Sequence, residues 1–146
     1  MLARWSSIRW GMSKPRIAIA DDHPEVLNRV AKFLADEFEI VALASDGAAA
    51  VNAVLASKPD VLILDIAMPE MDGIEAAKRL RDLRSPTKII FLTAAADPEV
   101  LLDSWQNVGA QGYVIKVRMR SDLVLAIRTV LEGGTFFPPD GHSKSD

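Results

Sequence analysis

Val61-Leu62-Ile63-Leu64-Asp65-Ile66-Ala67-Met68-Pro69-Glu70-Met71-Asp72-Gly73 is the stretch from which the rest of the chain can be ordered. Four large aliphatic residues run straight into an acid. A short apolar run bounded by turn residues reads as a strand buried on both faces, as in a parallel sheet. Asp65 then stands where that strand leaves the core. Met68-Pro69 breaks the pattern, and Asp72-Gly73 opens a helix. A carboxylate so placed caps a helix, binds a cation or does chemistry.

Working outward, the same unit recurs. Strand β1 (16–20) ends at Asp21-Asp22-His23-Pro24, and Pro24 suits the first turn of a helix with Asp22 or His23 as its cap. Helix α1 is expected over 24–37. Strand β2 (39–43) leads through Ser45-Asp46-Gly47 to α2 (48–57), with Val51, Val54 and Leu55 on its buried side. Strand β3 is 61–64, and α3 runs from Gly73 to about Leu83. Strand β4 (88–93) ends at Thr93, and Asp97-Pro98-Glu99 opens α4, expected over 97–108. Strand β5 (112–115) ends at Lys116, and α5 is expected from Ser121-Asp122 to Leu131, closed by Gly133-Gly134. Five strands alternating with five helices give an α/β fold: an open, doubly wound parallel (βα)5 sheet, since a closed barrel needs eight units.

Composition narrows the function. The 146 residues make one domain, ordinary for a soluble globular protein, with a formal net charge of −3. That charge gives no reason to expect direct nucleic-acid binding. No apolar run approaches a membrane span, and the absence of cysteine excludes disulfides and thiolate metal sites, which suits a cytoplasmic protein. Residues 1–14 carry Arg4, Arg9 and Lys14 with Trp5 and Trp10 but no acid. They read as a mobile extension ahead of a domain at 15–137, with Met12 a candidate second start. Residues 138–146 read as a mobile polar tail.

Ligands of doubly wound sheets bind at the carboxyl ends of the strands. Here those ends carry Asp21 and Asp22, Asp65, Thr93 and Lys116. Each alone has a plain structural reading: a cap, a turn, a packed hydroxyl, a counter-ion. Together, three carboxylates repel unless a cation or proton joins them. Oxygen donors alone point to a hard cation, Mg2+ or Mn2+. A lysine and a hydroxyl add donors for a tetrahedral oxyanion, so phosphoryl transfer with Asp65 as nucleophile is the simplest use. His23 offers a base or metal ligand but, beside Pro24 at a helix start, reads as a capping or surface group; His142 reads as inert, and Trp105 as either core or partner patch.

Asp21-Asp22, the 65–73 stretch, Thr93-Ala94 and Gly109-Ala110-Gln111-Gly112-Tyr113-Val114-Ile115-Lys116 together closely resemble the receiver domain of two-component response regulators. The resemblance covers about 16–137. Asp21-Asp22-His23-Pro24 and Leu131-Glu132-Gly133-Gly134 with Phe136-Phe137-Pro138 resemble the NarL/FixJ-like branch. It implies a flavodoxin-like strand order 2-1-3-4-5. It implies Asp65 as phosphoacceptor for a sensor histidine kinase or phosphotransfer protein. It implies Mg2+ held by Asp22, Asp65 and the Ala67 carbonyl, with Asp21 on a metal-bound water. Lys116, Thr93 and the Ala94 amide would meet the phosphoryl oxygens. Thr93 and Tyr113 would switch the α4-β5-α5 face toward a homodimer or effector.

Departures from the pattern are Val117, where the family usually has proline after the lysine, and two alanines, Ala67 and Ala95, at positions that tune phosphoryl lifetime. A dehalogenase-like phosphatase would want an acid at Ala67 and a cap domain. A DNA-binding regulator would need a recognition helix beyond this receiver. A degenerate receiver is at odds with the intact acid set.

Overall fold

The computed structural model describes residues 14–94, 99 and 107–137. Five parallel strands form one sheet in the order β2-β1-β3-β4-β5. They are β1 Arg16–Ala20, β2 Glu39–Ala44, β3 Val61–Leu64, β4 Lys88–Thr93 and β5 Gly112–Ile115. The order reverses between β1 and β3, which is where such sheets open a crevice. Ile17 faces Val61 and Leu64 faces Phe91 in register.

Alternation along each strand sends side chains to two cores. Ile17, Ile19, Val61, Ile63, Ile90 and Leu92 pack with α1 and α5. Ala18, Ala20, Leu62, Leu64, Phe91 and Tyr113 pack with α2 and α3. All four residues of β3 are buried, as their unbroken aliphatic run requires. Helix α2 can sit close because Ala18 and Ala20 are small and Ala50 projects toward them in the same cluster.

Helix boundaries shift where capping differs from expectation. Helix α1 is Pro24–Leu34, three residues shorter than expected, because residues 35–37 continue as turns folding back on Leu34 and Lys32. Its first turn has no side-chain cap from His23. Helix α2 is Gly47–Ser57, capped by Asp46 Oδ1 accepting from the Ala49 amide at 2.8 Å. Leu55, expected on its buried side, is 46% exposed. Helix α3 is Gly73–Asp82, capped by Asp72 through the Glu75 amide at 2.9 Å.

After β5 the chain makes a tight 3-10 turn, Lys116–Arg118, and α5 runs Met119–Leu131. It thus starts before Ser121-Asp122. Asp122 lies inside the first turn, buried, and accepts from Arg118 Nε at 3.0 Å. Among the described residues no peptide bond is cis, so Lys116–Val117 is trans. The expected α4 falls almost wholly outside the described residues, as do Ala95, Trp105, His142, Met12 and the tryptophans at 5 and 10.

One feature was not expected. Phe136 bridges Gly112 in parallel, and the Tyr113 amide donates to the Phe136 carbonyl at 2.9 Å. The segment after α5 thereby covers the outer edge of β5, a common way to blunt an open strand edge. Among the described residues no helix is long and apolar enough to cross a membrane.

Candidate functional site

Backbone pairing brings the site together. The Asp65 amide donates to the Ala20 carbonyl at 2.9 Å, and the Asp21 amide to the Ala44 carbonyl at 3.0 Å. The acids that end β1 and β3 are therefore neighbours at the sheet's carboxyl edge. Both are buried, Asp21 at 2% exposure and Asp65 at 4%. Thr93 ends β4 opposite Ile115, and Lys116 follows directly, so hydroxyl and ammonium share that edge.

Gly73 lets the loop after β3 close. Its amide donates to the Ile66 carbonyl at 2.8 Å. A Cβ there would stand 2.1 Å from the Asp65 carbonyl oxygen, closer than any side chain tolerates. The loop's opposite wall relies on Gly47 in the same way, where a Cβ would meet the Met71 carbonyl at 2.2 Å.

Lys116 Nζ lies 2.8 Å from Asp21 Oδ2 and 3.6 Å from Asp65 Oδ2, bridging the two buried acids. Its tighter partner is Asp21. Asp21 Oδ1 accepts from the His23 amide at 2.9 Å. The His23 ring does more than the sequence suggested: its Nδ1 stands 3.1 Å from both Asp21 Oδ1 and Asp22 Oδ1. The sequence offered ligation as the lesser reading of His23, and its adjacency to two acids was the hint.

One lysine does not neutralise three carboxylates. Burial holds the Asp65 carboxyl above its usual value, and the neighbouring Asp21 charge raises it further. Lys116 and a hydrogen bond from the Ala67 amide pull the other way.

The donor set fits a divalent cation. Asp21, Asp22, His23 and Asp65 each offer a ligand atom, all within 4.8 Å of one another. Asp21 Oδ2 and Asp22 Oδ1 are buried with no hydrogen bond, the Lys116 contact being a charge pairing off the hydrogen-bonding direction. Buried carboxylate oxygens left so are costly unless a cation meets them. Carboxylate oxygens are the donors that hard cations prefer.

An open doubly wound sheet with paired acids, a lysine and a hydroxyl at its carboxyl edge defines a class, and sequence comparison agrees with it. The family model of the "response regulator receiver domain" matches residues 17–128, and the chain belongs to that family. Its relatives place it in the NarL/FixJ-like branch. It is 40% identical over 124 residues to the oxygen regulatory protein NreC of Staphylococcus aureus, covering 83% of this chain and 57% of that protein. The chain thus spans little more than half the length of that curated relative. It is 33% identical to the signal receiver domain of the response regulator NarL from Mycobacterium tuberculosis, with a TM-score of 0.78 over 83% of this chain and 98% of the other. A LuxR-family two-component response regulator from Aurantimonas aligns at 29% identity and TM-score 0.84, covering 90% and 94%.

Asp21, Asp22, Asp65, Thr93 and Lys116 lie at the carboxyl ends of β1, β3, β4 and β5, and Tyr113 lies within β5. Ala67 and Ala94 are exposed at the mouth of the site. Tyr113 is buried and packs edge-on against Phe91, ring centroids 6.4 Å apart.

Proposed function

We propose that Asp65 is the phosphoacceptor of this receiver and that its phosphorylation by a sensor histidine kinase or phosphotransfer protein switches a partner surface. The observation that carries this is the convergence of Asp21, Asp22 and Asp65 oxygens within 4.8 Å beside a single lysine, with Asp21 Oδ2 and Asp22 Oδ1 making no hydrogen bond. Asp21, Asp22, Asp65 and the Ala67 carbonyl would hold Mg2+ or Mn2+. When bound, the ion supplies positive charge to the phosphoryl oxygens as the transition state gathers it.

The protein's own part is positional. An Asp65 carboxylate oxygen attacks phosphorus, forming an O–P bond, while the bond from phosphorus to the donor's histidine nitrogen breaks and its electron pair leaves with that nitrogen. Lys116, shared between Asp21 and Asp65 beforehand, moves its charge onto the transferred group. The Thr93 hydroxyl and the Ala94 amide donate to it. In a separate step the receiver catalyses its own dephosphorylation: water attacks the phosphorus, the bond from phosphorus to the Asp65 oxygen breaks, and inorganic phosphate leaves with the carboxylate regenerated.

Thr93 and Tyr113 form the switch, and the readout is the α4-β5-α5 face, toward a second copy or an effector. Residues 15–137 form the receiver unit, flanked by 1–14 and 138–146, in a cytoplasmic signalling protein. A second reading, a DNA-binding transcription regulator in which this receiver is the input part, is favoured by its 57% span of NreC.

Acetyl phosphate with Mg2+ should add one phosphoryl group to the chain, seen by intact mass. Asp65→Ala should stay unmodified. Undiminished labelling of that variant would falsify the assignment.

A further inference from the structure

At the end of the sheet remote from Asp65, a groove of about 530 Å3 runs between the carboxyl ends of α2 and α3 and the starts of β3 and β4. Val54, Leu55 and Leu83 line its apolar part, and Leu55 and Leu83 are 46% and 50% exposed. Lys58, Arg84 and Lys88 line it with positive charge on a chain whose net charge is −3. None of the three makes an ion pair with a described residue. The one acid among the lining residues, Asp60, already accepts from the Arg16 amide at 2.8 Å.

Cations at helix carboxyl ends often serve the helix itself. Here that need is met otherwise. Arg16 donates to the Ser57 and Lys58 carbonyls at the end of α2, and at the end of α3 the Leu83, Ser85 and Arg84 amides donate to the Arg79, Leu80 and Arg81 carbonyls. Lys58 and Arg84 moreover hold left-handed backbone, φ 48° and 59°, where glycine is the easier residue. Two long cations thus sit beside one groove at positions that local structure would give to glycine.

We propose that this groove docks an acidic amphipathic peptide segment of a partner protein, its aliphatic side chains on Leu55 and Leu83 and its carboxylates on Lys58, Arg84 and Lys88. The groove is open to solvent along one side, whereas small-molecule sites bury most of their ligand. Its apolar residues lie in a concavity, which suits inserted side chains better than a flat lipid surface. Because it lies at the opposite end of the strands, an occupant leaves the phosphorylation edge accessible.

The probe is a fluorescein-labelled helical peptide carrying leucines at i, i+3 and i+7 with glutamates between, read by anisotropy on the full chain. Binding should weaken about tenfold in the Lys58→Gly/Arg84→Gly double variant, the size expected when two complementary charges are removed from one interface. Those substitutions relieve left-handed backbone, so thermal unfolding should show the fold kept. Lys88→Gln, away from both helix ends, should weaken binding several-fold. Binding should also fall as salt rises from about 0.05 to 0.5 M. Equal binding of a lysine-for-glutamate peptide, unchanged affinity in the double variant, or binding to anionic phospholipid vesicles with no binding of the peptide would each overturn the proposal.

Discussion

At the carboxyl ends of the strands, Asp21 and Asp65 are buried, mutually repelling and bridged by a single lysine. At the amino ends, Lys58 and Arg84 are exposed and none of the groove's three cations is paired among described residues. The two ends of one sheet thus carry opposite charge at opposite depths. Depth decides what each charge does. A buried acid raises its own proton affinity and waits for a cation, whereas an exposed lysine keeps its charge and acts at a distance. Strain is divided too. The acidic end depends on glycines that admit backbone contact at Gly73 and Gly47, while the basic end keeps long side chains in left-handed conformations.

The contrast can be broken most severely at Gly73. Gly73→Ala drives a methyl into the Asp65 carbonyl and should cost about 3 kcal/mol, the upper part of the overpacking range, in urea unfolding. A cost below about 1 kcal/mol would mean the loop closes by other means. Lys116→Ala comes next. It strips the bridging cation from two buried acids and should cost roughly 2 kcal/mol, below the figure for a fully buried pair because Lys116 is 23% exposed. The variant should still bind Mg2+ but take phosphoryl poorly; wild-type phosphorylation would remove Lys116 from the site.

Asp65→Asn tests the electrostatics of the acidic end. Because the folded-state pKa of Asp65 lies above its ordinary 3.8, ionising it opposes folding. The favourable contribution of the protonated form is complete below pH 3.8 and is lost as pH rises through the higher folded value. Without divalent cation, the variant should therefore melt above wild type at pH 7, with the gap closing as pH falls toward 3.8. A gap that widens on acidification would reverse the sign. The smallest effect belongs to the basic end. Arg84→Gly trades relieved backbone strain against unfolded-chain entropy and should change stability by within about 0.5 kcal/mol.

Much of the acidic end was legible in the sequence because strand ends are legible. An unbroken aliphatic run such as Val61–Leu64 has one comfortable home, and the residue after it has one address. Asp21, Asp65, Thr93 and Lys116 follow from that alone. What escaped depends on three-dimensional competition. That Lys116 prefers Asp21 over Asp65 rests on fractions of an ångström. The His23 ring lies between two carboxylates because the Asp21 side chain folds back on the His23 amide. Helix α5 starts early because a 3-10 turn after β5 already sets helical direction, making the capping signal at Ser121-Asp122 redundant. Leu55 looked inward by periodicity, but it stands half exposed near the end of α2, beside the groove. That groove was equally invisible to periodicity.

The Phe136 bridge has a mechanical meaning. Tension applied to the chain beyond Phe137 reaches β5 before it reaches α5, because the Phe136 amide and carbonyl are tied to Gln111 and Tyr113 at 2.9 Å each. Those two bonds act as a clamp that must open before α5 bears load. The same pair of bonds runs the other way: a shift in the backbone at Tyr113 would be passed directly to Phe136.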